Sequence, residues 1–470
     1  MFVGREAELE DVSHRLAEGS PQFLRILGRR RVGKTELILK LLETRPGLYF
    51  HVDEADRVVQ LEALASQVSA QVRGLPRKYG TWDDFLDHLE GSGQSLVVFD
   101  EFQHLLDSAS GFASRLQDRW DRGWRRTGPS LLICGSSIGM MQGVAAPRTG
   151  PLYGRLTSTL HLGPMRYREV RGFYPRVPEE ERIARYAVFG GIPYYHTFSL
   201  GRSLKEAIHL SLLTPTGGLL DEPHQLLQEE LNDSARYAAI LYEIGNGAHS
   251  LADLESKLQV AHGALAPYLA TLNRRLDLVR VAEPLGGKKK GMRYDLSDPF
   301  FRFYYRFVFP NRGVIASRNG HLVWEGIEAN LNGFVGQVFE EVVADAFLQQ
   351  MGRSIGGRAA GYRQLGRWWN RSGLEIYLLA LGPLEVWVGE VKWRARPLTR
   401  VDVDNLLAKI PFLPMTAGKE IIPFVVSRAG VTEEARDVLR RVGGFTLDMA
   451  DLTAIFDPHS ASAPKPKIRR

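Results

Sequence analysis

The stretch Gly28-Arg29-Arg30-Arg31-Val32-Gly33-Lys34-Thr35 constrains the fold of this chain more than any other part of it. Two glycines with four residues between them, followed by Lys-Thr, make a loop whose backbone amides turn together toward a phosphate group. Such a loop sits between a buried strand and the first turn of a helix, because the helix N-terminus adds free amides and the positive end of its dipole. The flanks supply both, with Phe23-Leu24-Arg25-Ile26-Leu27 before it and Glu36-Leu37-Ile38-Leu39-Lys40 after it. Lys34 is expected to reach the β and γ phosphates of ATP, and the Thr35 hydroxyl to ligate Mg2+. The expected phosphate site is therefore Gly28, Arg29, Arg30, Arg31, Val32, Gly33, Lys34, Thr35 and Glu36.

Hydrolysis asks for carboxylates from a second strand. Leu96-Val97-Val98-Phe99-Asp100-Glu101 places Asp100 at the end of an apolar run, for magnesium, and Glu101 just beyond it, to polarise the attacking water. The next run, Leu131-Leu132-Ile133-Cys134-Gly135, ends in Ser136, a candidate for sensing the γ phosphate. Arg155 is the candidate for neutralising transition-state charge, and if it acts across a subunit boundary the chain must be at least a homodimer. Gly190-Gly191-Ile192-Pro193-Tyr194 marks a turn with a candidate nucleotide contact. The expected catalytic set is Lys34, Glu101 and Arg155; the expected metal ligands are Thr35 and Asp100.

At 470 residues, 44% hydrophobic and 24% charged, the chain is globular and too long for one core. From Phe2 to about Thr197 the runs Gln22–Leu27, Gly47–Val52, Ser95–Phe99, Ser130–Gly135 and Leu156–Leu162 alternate with helical patterns such as Lys34–Glu43 and Val58–Val72. That alternation predicts an α/β fold with a parallel sheet. Leu204–Leu231 reads as helical, and Ser234–Asp298 as three short helices and a hairpin, with Ala261–Leu278 its third helical stretch. A third region opens with the amphipathic helix Phe334–Gln350. It continues with strands Glu375–Leu381, Val386–Lys392 and Ile421–Ser427 and helices Val401–Lys409 and Thr432–Val442. The expected domains are 1–200, 201–310 and 325–458, with 459–470 a disordered tail. Cys134, the single cysteine, reads as a buried strand residue with no redox role. The richest apolar candidate for a membrane span, Ile376–Gly389, is short and contains Pro383 and Glu385, and the N-terminus lacks a signal-peptide pattern, so a cytoplasmic protein with no membrane partner is expected. The net charge of +6 is compatible with a polyanionic partner.

Together with Phe2-Val3-Gly4-Arg5-Glu6-Ala7-Glu8-Leu9, these motifs resemble the archaeal-type ATPase family of P-loop proteins, relatives of AAA+ and signal-transduction ATPases. The resemblance implies that Val3, Gly4 and Arg5 line the adenine pocket. It also implies an additional strand between the P-loop strand and the Asp-Glu strand, which Gly47–Val52 fits. Members often carry a winged helix after the core, which Ser234–Asp298 fits, with Asn273, Arg274 and Arg275 on the recognition helix and Lys288, Lys289, Lys290 and Arg293 in the wing, facing DNA. Members frequently end in a domain resembling PD-(D/E)XK nucleases, matched here by Gly366-Arg367-Trp368-Trp369-Asn370 and by Glu390-Val391-Lys392-Trp393. Glu390 and Lys392 match that pattern, with Glu340 or Glu341 as a helical acid. Tyr377 stands where the first strand's acid belongs, and Glu375, two residues earlier on the same face, is the substitute. The leading expectation is an Mg-ATP-hydrolysing switch or motor coupled to DNA. The alternatives are an ATP-regulated, metal-dependent DNA nuclease and a nucleotide-binding regulator or adaptor that does not hydrolyse.

Overall fold

In the computed structural model, residues 2–72, 78–107, 111–146, 150–286, 291–370 and 372–457 are described. The expected disordered tail and Lys288, Lys289 and Lys290 of the expected wing lie outside the described residues.

The first compact unit comprises residues 1–164, 192–194 and 224–234. Its centre is a parallel sheet of β1 (Phe23–Leu27), β2 (Leu48–His51), β3 (Leu96–Asp100), β4 (Ser130–Cys134) and β5 (Ser158–His161), in the order β2-β3-β4-β1-β5. Every residue of β3 and β4 is buried, as continuous apolar strands covered on both faces must be. Phe50, Phe85 and Phe99 pack with Trp82 and Phe112 in the core on one side of the sheet. Because the strands are parallel, the turns after β1, β3 and β4 leave the sheet at one edge, which brings the P-loop, Asp100-Glu101 and Gly135-Ser136 together. The strand between β1 and β3 in space is β4, whereas β2, formed by the Gly47–Val52 run, lies at the sheet edge beyond β3. Five runs of similar apolarity carry no signal of lateral order, so the sequence assignment of the additional strand is corrected by the pairing alone.

The second compact unit comprises residues 165–191, 195–223 and 235–470. Helices Ser234–Gly245, Leu251–Lys257 and Ala266–Arg274 precede the antiparallel hairpin of β6 (Val279–Ala282) and β7 (Arg293–Leu296). The third helix starts at Ala266, not Ala261, with Pro267 in its first turn, where the missing N–H costs nothing. Leu204–Leu231 is two helices, Leu204–Leu212 and Glu222–Glu230, separated at Pro215, Gly217 and Gly218. The helix expected at Phe334 begins fourteen residues earlier and runs Gly320–Gln350. Gly326, Asn330, Asn332 and Gly333 argue against helix locally, and burial of Val323, Trp324 and Ile327 overrides that preference.

After a short ribbon of β8 (Ser354–Ile355) and β9 (Arg358–Ala359) comes a mixed sheet of β10 (Gln364–Trp369), β11 (Glu375–Leu381), β12 (Glu385–Lys392), β13 (Glu420–Ser427) and β14 (Phe445–Leu447), paired in that order. The first two pairings are antiparallel and the last two parallel. No helix of the described residues is long and apolar enough to cross a membrane.

Candidate nucleotide site

Gly33, at a φ of 99°, turns the loop into the helix Lys34–Thr44, whose first turn carries no side-chain cap. Its leading amides are therefore open to a ligand, and an anion is what that end of a helix accepts. Lys34 is buried, and its ammonium donates to the carbonyls of Gly28 at 2.9 Å and Arg29 at 3.0 Å. Burial lowers the Lys34 pKa, while Cys134, Glu101, Asp100 and Glu230 oppose that shift. A cation held against backbone oxygens under a desolvation penalty is well placed to exchange them for phosphate oxygens.

Asp100 ends β3 fully buried and accepts four hydrogen bonds: from the Thr35 hydroxyl at 2.7 Å and Tyr49 hydroxyl at 2.9 Å on Oδ2, and from Cys134 Sγ at 2.8 Å and the Glu101 N–H at 3.0 Å on Oδ1. Burial pushes the Tyr49 hydroxyl up, and the Asp100 charge adds to the effect; the Cys134 thiol rises well above its usual value for the same two reasons. Both groups therefore remain protonated donors. Thr35 and Asp100, joined at 2.7 Å, are an oxygen pair suited to magnesium, which takes one or two protein ligands beside phosphate and water. Glu101 adopts a positive φ of 56°, and its Oε2 accepts from the Ser136 N–H at 2.9 Å and from Gln103 Nε2 at 2.5 Å.

The N-terminal segment abuts this loop. Gly4 and Arg5 are buried, and the Arg5 guanidinium donates to the carbonyl of Val32 at 3.3 Å and to that of Gly163. Pro193 lies 3.8 Å from where a Gly33 side chain would begin, and the Arg31 guanidinium stacks 4.4 Å above the Tyr194 ring. Arg30 pairs with Glu229, and Glu230 accepts from the Ile138 N–H at 3.0 Å. Arg29 is buried and Glu36 is exposed on the first helical turn. Arg155 is the exception among the expected residues. It precedes β5 at the amino end of the sheet, near Phe23, and pairs with Asp121 at 3.0 Å. The five residues of β1 separate it from the P-loop by on the order of 15 Å, so within one chain it does not join the site.

Residues 2–196 match the model of an ATPase domain predominantly from Archaea, and residues 304–405 match a family described as archaeal and bacterial proteins of unknown function. The chain is 31% identical to an uncharacterized protein of Methanocaldococcus jannaschii over 84% of its own length and 88% of that protein's. The chain belongs to the archaeal-type P-loop ATPase family. A second protein of the same organism, described as an uncharacterized ATP-binding protein, is 47% identical over 10% of this chain and 76% of its own length. Among solved structures, a Walker-type ATPase of Pyrococcus abyssi shares 21% identity at a TM-score of 0.49, over 65% of this chain and 96% of that one. The ORC2 protein of Aeropyrum pernix shares 15% identity at a TM-score of 0.41, over 67% and 94%.

The C-terminal part of this archaeal-type ATPase brings together the residues expected of a nuclease-like site but spends them on ion pairs. Glu390 is bound by Lys392 at 2.5 Å and Lys409 at 3.2 Å, and Glu375 by Arg367 at 2.6 Å and Arg293 at 3.0 Å. Glu341 is held between Arg280 and Arg302. Tyr377 lies between the cations of Arg367 and Lys392, 5.5 and 5.7 Å from its ring centre. Burial pushes the Glu340 carboxyl up to about 8, opposed by Arg367 and Lys392 and reinforced by Glu341 and Glu375. Among the described residues no three His, Cys, Asp or Glu side chains are grouped to hold a metal ion. Of the residues Glu340, Glu375 and Glu390 of the possible nuclease-like site, Glu375 and Glu390 are paired with cationic side chains. Glu340, Glu341, Glu375 and Tyr377 line part of a cavity of about 1640 Å³, also bordered by His249, Asp295, Arg306 and Trp369. Trp368 and Trp369 are core aromatics, and Trp369 donates to the Gly291 carbonyl at 3.0 Å.

Sequence reading missed Tyr49, Gln103, Glu229 and Glu230. Gln103 alone had a local signal, its place two residues beyond Glu101. Tyr49 is polar in an apolar run, and Glu229 and Glu230 lie 199 and 92 residues from their partners Arg30 and Ile138.

Proposed function

We propose that the chain binds and hydrolyses Mg-ATP and works as a nucleotide-dependent switch or motor coupled to DNA. The observation that carries this reading is the convergence of Lys34, Thr35, Asp100 and Glu101 at one sheet edge, with Thr35 and Asp100 in direct hydrogen bond. Lys34 and the amides of the loop would hold the phosphates, Val3, Gly4 and Arg5 would border the adenine, and Thr35 with Asp100 would hold magnesium. When bound there, magnesium screens the charge on the β and γ phosphates. Glu101 orients and deprotonates the attacking water, and Ser136, adjacent to Glu101, senses the γ phosphate. Arg155, fixed to Asp121 within its own chain, serves as a catalytic arginine only from a neighbouring copy.

Two features support coupling. The helix Glu222–Glu230 places Glu229 on Arg30 and Glu230 on the Ile138 amide, and from its end the chain passes at Ser234 directly into the three-helix and hairpin region. A γ phosphate would compete with these carboxylates, which gives nucleotide state a path into that region. Its order of helices and hairpin is that of a winged helix, and Arg274 is exposed on the third helix for a DNA backbone. Asn273, on the same helix, donates its side-chain amide to the Val279 carbonyl at 2.8 Å, away from a base edge.

The deciding measurement is steady-state ATPase activity of wild type and Lys34→Ala, each with and without DNA. Turnover by wild type, absent in Lys34→Ala and raised by DNA, is the expected result. Turnover unaffected by any DNA form removes the coupling, and no turnover beside retained ATP binding leaves a nucleotide-binding regulator.

A further inference from the structure

We propose that Gln103 is the positioning residue of the hydrolytic step: its side-chain amide fixes one carboxylate oxygen of Glu101 and leaves the other for the attacking water. The inference rests on the reading of the chain as an ATP hydrolase.

Glu101 stands just past the end of β3 with a left-handed backbone, a conformation that side-chain-bearing residues adopt infrequently and that turns the carboxylate out of the strand line. Two N–H donors then converge on one oxygen. Gln103 Nε2 approaches Glu101 Oε2 at 2.5 Å and the Ser136 backbone N–H approaches it at 2.9 Å. No hydrogen bond among the described residues reaches Oε1 of the same carboxylate. One oxygen is thus anchored and the other is available. In the reaction the water oxygen bonds to the γ phosphorus as the bond to the ADP oxygen breaks, and the proton leaving the water passes to Oε1.

The seat of Gln103 is built for this arrangement. The residue is 3% exposed, and its Oε1 is buried without a hydrogen bond, a loss of stability accepted while the amide nitrogen is aimed at Glu101. At the end of β4, Gly135 makes the room: a methyl group there would come within 2.0 Å of Gln103 Oε1. Ser136, which follows, supplies both the second donor to Glu101 and a hydroxyl 3.3 Å from Gln103 Nε2. The two ends of β3 and β4 therefore define the direction of the Glu101 carboxylate without using the nucleotide. A base held in one orientation has already lost the freedom that a mobile one loses in the transition state.

The test compares wild type, Gln103→Ala, Gln103→Met, Glu101→Gln and the Gln103→Met/Glu101→Gln double variant in the full-length protein. ATP turnover and nucleotide affinity are measured for each. Gln103→Met keeps the length and packing of the side chain without its N–H, so it separates positioning from folding. The expected result is a kcat lowered on the order of ten- to a hundredfold in both Gln103 variants, with nucleotide Kd unchanged. The double variant should turn over no more slowly than Glu101→Gln alone, because Gln103 acts through Glu101. A wild-type kcat in Gln103→Met overturns the assignment, as does loss of nucleotide affinity in step with kcat, or a double variant in which the two losses multiply. A wild-type protein that binds ATP and never turns it over instead defeats the hydrolase reading, and the assignment with it.

Discussion

At the scale of single residues, the nucleotide site is a buried carboxylate made tolerable by its donors. Asp100 is fully buried, and a lone carboxylate there would carry a desolvation penalty of several kcal/mol. Thr35, Tyr49, Cys134 and a backbone amide offset it. Tyr49→Phe removes one donor and leaves the side-chain volume, so unfolding in denaturant should show a loss of about 1–3 kcal/mol. Glu101→Gln keeps the shape of the site and removes the base. ATP binding should survive while turnover drops by about a hundredfold or more, a split that isothermal titration beside a phosphate-release assay measures. The identities of Lys34, Thr35, Asp100 and Glu101 were legible in the sequence because each sits at a set distance from a glycine or the end of an apolar run. Tyr49 and Gln103 were not, since what they do depends on which strand lies beside which.

At the scale of elements, two helices show how packing revises local preference. The helix Gly320–Gln350 passes so close to Leu213 that a methyl group on Gly320 would lie 1.9 Å from its carbonyl oxygen. Backbone cannot move aside cheaply, so Gly320→Ala should destabilise the second unit by about 1–3 kcal/mol, read from its unfolding transition. The helix Glu222–Glu230 places Glu230, with 8% exposure, within electrostatic reach of Lys34. Glu230→Gln removes a negative charge from the neighbourhood that must receive phosphates. ATP affinity should rise on the order of tenfold, measured by titration at fixed magnesium, and a weaker affinity would contradict the competition between Glu230 and phosphate.

For the whole molecule, pH is the variable that the C-terminal cavity makes informative. The His249 pKa is raised mainly by its hydrogen bond to Asp295, at 3.1 Å. Burial works against Asp295, yet His249, Arg280 and Arg367 hold its carboxyl well below the usual range. A raised histidine contributes stability that is complete below its unfolded pKa of about 6.5 and is lost as pH rises through the folded value. Glu340, raised to about 8 from an ordinary 4.5, acts in the same direction, because between those values the unfolded chain ionises and the folded one does not. Asp295 acts oppositely, with its contribution lost as pH falls below about 3.8. The second unit should therefore lose stability as pH rises from 5 to 9, and Glu340→Gln should flatten that slope. Denaturant midpoints across the pH range check it, and an unchanged slope would mean that Glu340 is already ionised near neutrality.

The sequence by itself determined the P-loop, the run that ends in Asp100-Glu101, the apolar strands and the strands from Glu375 to Ser427, because each is written in contiguous residues or in a short period. It also pointed to the family, through motifs whose spacing is local. Tertiary structure alone decided the order β2-β3-β4-β1-β5, the separation of Arg155 from the loop and the arrival of Glu229 and Glu230 beside it. It decided too that Glu375 and Glu390 serve ion pairs and that a single helix runs through 320–350. The physical reason is common to all of these. Propensity and periodicity act over a few residues, whereas lateral strand order, charge pairing and the burial that overrides a glycine are settled by neighbours that the chain reaches only on folding.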